Sequence, residues 1–185
     1  MEAPKSKQSS RLFQYEDKAD IINIEPARQK DWLRSDISLV QAKVDNIRFK
    51  ETKQKEPQLD ITYTIESSQY GNKTGKRLFI PVNIFHKGFY SPSNQGERTQ
   101  DIQINYGYLD IDSLNIRLPE GYEIESLPKT TNMETKFGKF HSSITLEEDG
   151  NILIVHRLLF HQGNYPKEDN TDFMDFRKNV ATQYA

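Results

Sequence analysis

The stretch KFHSSITLEEDGNILIVHRLLFH, Lys139–His161, contains two alternating runs that meet at Asp149-Gly150. That dipeptide is a favoured two-residue hairpin turn. Centring the register on it sets Leu146 opposite Leu153, Ile144 opposite Val155 and Phe140 opposite Leu159. Apolar then meets apolar on one face, with Arg157 opposite Ser142 as a polar intrusion at its margin. On the other face Glu147, Thr145, Ser143 and His141 stand against Ile152, Ile154, His156 and Leu158. The second strand is apolar on both sides, so this reading asks for a cover on each.

Short strands punctuated by turn chemistry surround this hairpin. In LPEGYEIESLP, Leu118–Pro128, the Pro-Glu-Gly triplet suits a tight turn with proline at its first central position, and Tyr122–Leu127 reads as a strand stopped by Pro128. Leu59, Ile61, Tyr63 and Ile65 alternate with polar residues as a half-buried strand does. SSQYGNKTGK supplies a turn before a strand over Arg77–Phe85, which Pro81 marks as an edge or a break. Further strands are expected at Asp101–Tyr108 and Ser113–Leu118. From Ile37 to Phe49 the period is two, with phase slips at Leu39–Val40 and Asp45–Asn46 that indicate bulges or two strands. Residues 1–10 are expected to be flexible, followed by short strands at Arg11–Tyr15 and Ala19–Ile24, a polar connector from Pro26 to Asp31, and Trp32 as an anchor.

The expectation is an all-β chain: an antiparallel β-sandwich, immunoglobulin- or fibronectin-like, of about seven to nine strands over residues 31–165. Residues 1–30 form a flexible arm or linker with short strands, and 31–185 the domain. A helix closes it at about 170–183. Asp169, Asn170 and Thr171 offer N-cap oxygens, and Asp172 and Asp175 suit the positive end of the dipole. Phe173, Phe176 and Val180 form one stripe. A helix this short is marginal alone in water, so it needs a seat, and the row Ile152, Ile154 and Leu158 offers one.

The chain of 185 residues has 25 basic and 27 acidic side chains and no cysteine. The charges are mixed along it without a basic stripe, which argues against nucleic-acid binding. Thiolate catalysis, disulfides and cysteine-based zinc sites are excluded. No apolar run approaches the roughly 18 residues of a membrane span, and the lead MEAPKSKQSSR is no signal peptide. An apolar share of 35% beside an aromatic share of 11% fits a thin sheet-based fold with long polar loops. The chain reads as a piece of a longer polypeptide.

No residue pattern assembles a catalytic, cofactor or metal site. GNKTGKR, Gly71–Arg77, spaces its glycines one residue too closely for a phosphate loop and puts Arg77 where a magnesium-binding hydroxyl belongs. Asn72-Lys73-Thr74 is a formal glycosylation acceptor that reads as turn. In the hairpin register His141 and His156 are diagonal neighbours on one face, roughly 7–8 Å apart, but no third ligand accompanies them. Asp101, Asp110, Asp112 and Glu147–Asp149 fall on solvated faces or turns instead of a cleft. Aromatic rings give the one recognition signal: Phe89 and Tyr90 in a polar loop, with Tyr106 and Tyr108 two residues apart, are a candidate surface for a sugar or a protein partner.

From about Arg98 to Tyr184 the chain resembles the uncharacterised carboxy-terminal β-sandwich domain that follows transglutaminase-like cores in large bacterial proteins. The resemblance rests on Leu118-Pro119-Glu120-Gly121-Tyr122, Leu127-Pro128, Phe137-Gly138-Lys139-Phe140 and the closing Phe173, Phe176 and Val180, with LDITYTI, Leu59–Ile65, more weakly similar to the stretch that precedes that domain. It implies a non-catalytic accessory domain, structural or interaction-mediating, without cofactor. It also implies partners among the other domains of a parent polypeptide, or a protein or glycan, and a periplasmic or extracellular setting. The alternative is a stand-alone carbohydrate- or peptide-binding module. Transglutaminase chemistry needs a cysteine nucleophile, which this chain lacks.

Overall fold

The computed structural model describes residues 5–12, 15, 18–85, 89 and 97–184, with residues 5–12 described through their backbone and the Lys7 side chain. In chain order the strands are β1 (Lys5–Leu12), β2 (Lys43–Thr52), β3 (Gln58–Glu66), β4 (Asn72–Thr74), β5 (Arg77–Phe79), β6 (Ile102–Ile104), β7 (Tyr108–Arg117), β8 (Thr131–Thr135), β9 (Gly138–Leu146), β10 (Asn151–Phe160) and β11 (Gly163–Tyr165). Helix α1 spans Pro26–Ser35, and α2 spans Asn170–Tyr184. Seven strands form one antiparallel sheet in the order β2-β3-β1-β7-β10-β9-β8, while β4 with β5 and β6 with β11 make two-stranded ribbons.

One face of the large sheet carries the core. Leu59, Ile61, Tyr63 and Ile65 of β3, Leu114 and Ile116 of β7, Ile144 of β9 and Ile152 and Ile154 of β10 pack with Ile21, Leu33 and Ile84 from the covering layer. Toward β8, Phe140, Leu158 and Phe160 pack with Ile102, Phe137 and the α2 residues Phe176, Val180 and Tyr184. The all-β body with a C-terminal helix follows the sequence. The layer over the sheet, however, is made of ribbons, coil and helices where a two-sheet sandwich would place a second full sheet. Its strands are three residues long because Gly71, Gly75, Pro81 and Gly107 interrupt them.

Two N-terminal expectations are replaced. Lys5–Leu12, expected to be flexible, pairs along its length with β3 on one side and β7 on the other. Its alternation is masked by Ser and Gln at register positions that match the apolar rows of its neighbours, so periodicity gave no signal. The expected connector Pro26–Asp31 and the residues after it form α1, with Pro26 in the first turn, where its missing N–H costs nothing. Leu33 is fully buried and Trp32 packs beside it against the core. The segment Asp20–Asn23, expected as strand, is a 3-10 turn with Ile21 buried. Tyr15 donates a hydrogen bond to Glu51, which holds that carboxyl below its ordinary range and raises the phenol.

The slip at Asp45–Asn46 is a bulge: pairing with β3 shifts between Asp45 and Arg48, and Asn46 adopts φ 55°. The slip at Leu39–Val40 lies in a loop before β2, with Gln41 at φ 53°.

The decisive hairpin is shifted by one residue. Gly150 N donates to Glu147 O at 3.0 Å, Glu147 N donates to Asn151 O at 2.8 Å, and Gly150 has φ 79°. This is a three-residue loop, a turn followed by a left-handed glycine, in place of the two-residue turn. Ile152 therefore pairs with Leu146, Ile154 with Ile144, His156 with Ser142 and Leu158 with Phe140. A one-residue slip exchanges faces, so Ile152, Ile154 and Leu158 point into the core while Leu153, Val155, Arg157 and Leu159 take the other side.

Helix α2 docks as expected, one residue beyond its expected end. Leu158 shares its cluster, whereas Ile152 and Ile154 belong to the neighbouring one under Ile124 and Leu127.

Candidate interaction site

Two surfaces stand out once the sheet is built. The first lies on the covered side. Hairpin β4–β5 turns at Gly75, whose φ of 62° suits a glycine in the first central place of a two-residue loop. After β7 the chain turns at Pro119–Tyr122, where Tyr122 N donates to Pro119 O at 3.3 Å and Gly121 has φ 79°. Pro119 thus opens the turn instead of taking its first central place, and Gly121 takes the position that needs positive φ. From Tyr122 to Thr130 the chain runs without helix, turn or bend and joins no sheet. The strand expected over Tyr122–Leu127 alternates in burial but has no ladder, because its apolar side chains are spent on the core beneath it.

Between this segment and β5 lies a cleft of about 510 Å³ floored by Ile116, Ile144, Ile152 and Ile154. Arg77 and Glu125 meet across its mouth at 2.7 Å.

The second surface is the opposite face of the large sheet. Ile111 of β7 and Leu153, Val155 and Leu159 of β10 form a half-buried apolar centre that belongs to neither core cluster, with Leu109 buried beside them. The register brings Arg157, Lys139, Lys43, Arg48 and Lys50 to the same face. Four carboxylates share it: Asp45 paired with Lys30, Asp60 with Lys7, Glu134 with Lys139, and Glu66, which stands opposite Lys43 in the register.

The aromatic recognition residues do not come together. Phe89 packs edge-on against Tyr184 with ring centroids 5.4 Å apart. Tyr108 lies on Phe160 at 5.1 Å, and burial pushes its phenol up. Tyr106 is 61% exposed, and Tyr90 lies outside the described residues. Rings at i and i+2 gave no means of telling core from surface without the register.

The histidines fall on opposite faces, as the corrected register requires. His141 Nδ1 donates to Asn132 Oδ1 at 2.7 Å, and His156 Nε2 donates to the Val82 carbonyl at 3.1 Å. Among the described residues no group of three or more metal-ligating side chains converges. The carboxylates serve local structure: Asp101 accepts from Lys167 N at 3.0 Å, Asp149 from Asn151 N at 3.0 Å, and Asp110 pairs with Lys18. Asp112, expected on a solvated face, is buried next to His156 in the register.

Burial without a partner marks one further side chain. The Tyr70 hydroxyl is enclosed with no hydrogen-bond partner among the described residues, and burial pushes its phenol up. An unpaired buried hydroxyl costs about 1–3 kcal/mol. Tyr70→Phe is expected to raise stability by roughly 1 kcal/mol, or about 2–4 °C in the thermal midpoint. A lower midpoint would show that the hydroxyl is satisfied.

No curated protein matches the chain, and no solved structure does. A family model does, over residues 76–185: the family described as a domain of unknown function with a solved structure, DUF3858. That span takes in β5 to α2 and every element of the resemblance from Leu118 onward. With more than half of the chain matched, the protein belongs to DUF3858, the non-catalytic accessory domain that stands C-terminal to transglutaminase-like cores in larger bacterial proteins.

Proposed function

We propose that this domain docks against the transglutaminase-like core of a parent polypeptide through the open face of its large sheet. The observation that carries this is the composition of that face: an apolar centre two strands wide, ringed by basic side chains, in a chain whose net charge is −2. Specific interfaces have that anatomy, an apolar centre inside a polar rim. The excess of basic groups calls for an acidic partner surface and disfavours pairing with a second copy through the same face. Of the described residues behind the stand-alone glycan reading only Tyr106 is exposed, because Phe89 and Tyr108 are built into the packing under α2.

The test is binding between this chain and a separately produced core from the same polypeptide. Combining Arg157→Glu with Lys50→Glu is expected to weaken binding at least tenfold, with the loss largest at low salt. The thermal midpoint should stay within a few degrees, since both side chains sit on the uncovered face. Unchanged affinity would overturn the assignment of this face.

A further inference from the structure

We propose that the cleft between β5 and the Tyr122–Leu127 segment accepts an extended strand from a protein partner, at a site on the opposite side of the sheet from the face proposed above.

Both walls of the cleft carry backbone N–H and C=O groups that have no partner among the described residues. β5 pairs with β4 along one edge only. In a two-residue hairpin the residues flanking the loop, here Thr74 and Arg77, exchange the narrow hydrogen bonds, so the N–H and C=O of Leu78 point to the open edge. On the other wall no backbone group from Glu123 to Leu127 has a hydrogen-bond partner among the described residues. Polar backbone along a partly apolar cleft is stabilised by a partner that supplies matching groups, and an extended polypeptide does so every second residue.

The walls share no ladder and are joined by the tips of two long side chains, Arg77 and Glu125. Neighbouring strands stand about 4.8 Å apart, so an inserted strand needs two such spacings between the walls. Below it, Ile116, Ile144, Ile152 and Ile154 are buried, so alternate apolar side chains of the partner would pack on the half-buried Leu78, Val82, Leu118, Ile124 and Leu127 that line the cleft above them. At the rim, Lys76 and Arg77 line one wall, with Glu123 and Glu125 on the other. The complementary partner is a segment with apolar residues at every second position. Between these it carries an acidic side chain toward β5 and a basic one toward Glu123 and Glu125. The exposed Arg77–Glu125 pair contributes little, so opening it to exchange partners costs little.

The test selects ten-residue displayed peptides on the intact chain. The expected pool alternates apolar residues and mixes charges between them. Amide shifts of Leu78 and of Glu123–Leu127 should move on binding. Leu78→Pro removes the open-edge donor without touching the β4 ladder, and is expected to cut affinity at least tenfold while the domain stays folded. The same selected peptide, N-methylated at alternate residues, should lose binding to the unaltered chain, which keeps the test decisive if the proline variant is unstable. A pool without alternation, no binders, or shifts confined to another surface would overturn the proposal. So would a concentration-dependent dimer abolished by Leu78→Pro, which would give the cleft to a second copy. The open-face variant should bind these peptides normally, so failure here and failure of core docking remain separate results.

Discussion

Deleting residues 170–184 is expected to leave a chain that no longer melts cooperatively. Phe176, Val180 and Tyr184 are buried along one stripe of α2, and Phe173 packs beside them. Full burial of one such side chain contributes about 1.5–3 kcal/mol, so three sum to roughly 5–9 kcal/mol as an upper estimate. Domains are stable by only about 5–15 kcal/mol in total. The loss also uncovers Phe137, Phe140, Leu158 and Phe160 together and leaves the Asn83 amide without the Tyr184 carbonyl it donates to at 2.6 Å. Calorimetry and binding of a hydrophobic dye read both effects. A truncated chain that melts within a few degrees of the intact one would show that α2 is a loose appendage.

Gly138→Ala is expected to destabilise the domain by about 2–3 kcal/mol, the upper part of the range for overpacking a close-packed interior. For a chain of this size that is roughly 4–12 °C in the thermal midpoint. The cause is a close backbone approach. A Cβ on Gly138 would stand less than 3.0 Å from the Leu159 carbonyl oxygen, which real Cβ atoms essentially never show. Neither side can yield, because Gly138 pairs with both Thr135 and Phe160, and the next backbone bond, His161 N to Phe137 O at 2.8 Å, locks the corner. Phe137 is held there too, edge-on to Phe173 at 5.1 Å and to Tyr165 at 4.8 Å. Gly121→Ala makes a control, since a Cβ there meets nothing and only the positive φ opposes it. Equal effects from the two would rule out the steric account. The Phe-Gly-Lys-Phe element of the family resemblance thus records a packing requirement.

What the sequence made legible was whatever period and end chemistry announce. The strand Leu59–Ile65, the bulge after Asp45 and the docked C-terminal helix all followed from local pattern. The hairpin register did not, because Asp149-Gly150 serves a two-residue loop and the end of a three-residue loop equally well, and both pair apolar residues on one face. Only the hydrogen bonds at Glu147 distinguish them. β1 was hidden because Lys-Ser-Lys-Gln-Ser-Ser has no apolar rhythm, and its place depends on strands more than 45 residues further along. Phe89 and Tyr108 could not be told from surface rings for the same reason: whether they face water depends on where α2 comes to rest.

The position of β1 separates two meanings of the word module. The family match begins at Lys76, in the loop of the β4–β5 hairpin, yet the large sheet runs on through β1 to β3 and β2. A chain cut to the matched span would end its sheet at β7, with a ten-residue strand bared along one edge that invites other chains to pair with it. The N-terminal strand is the seam that closes this edge. The stretch that the family model matches is therefore smaller than the sheet that closes around it, and β1 measures the difference.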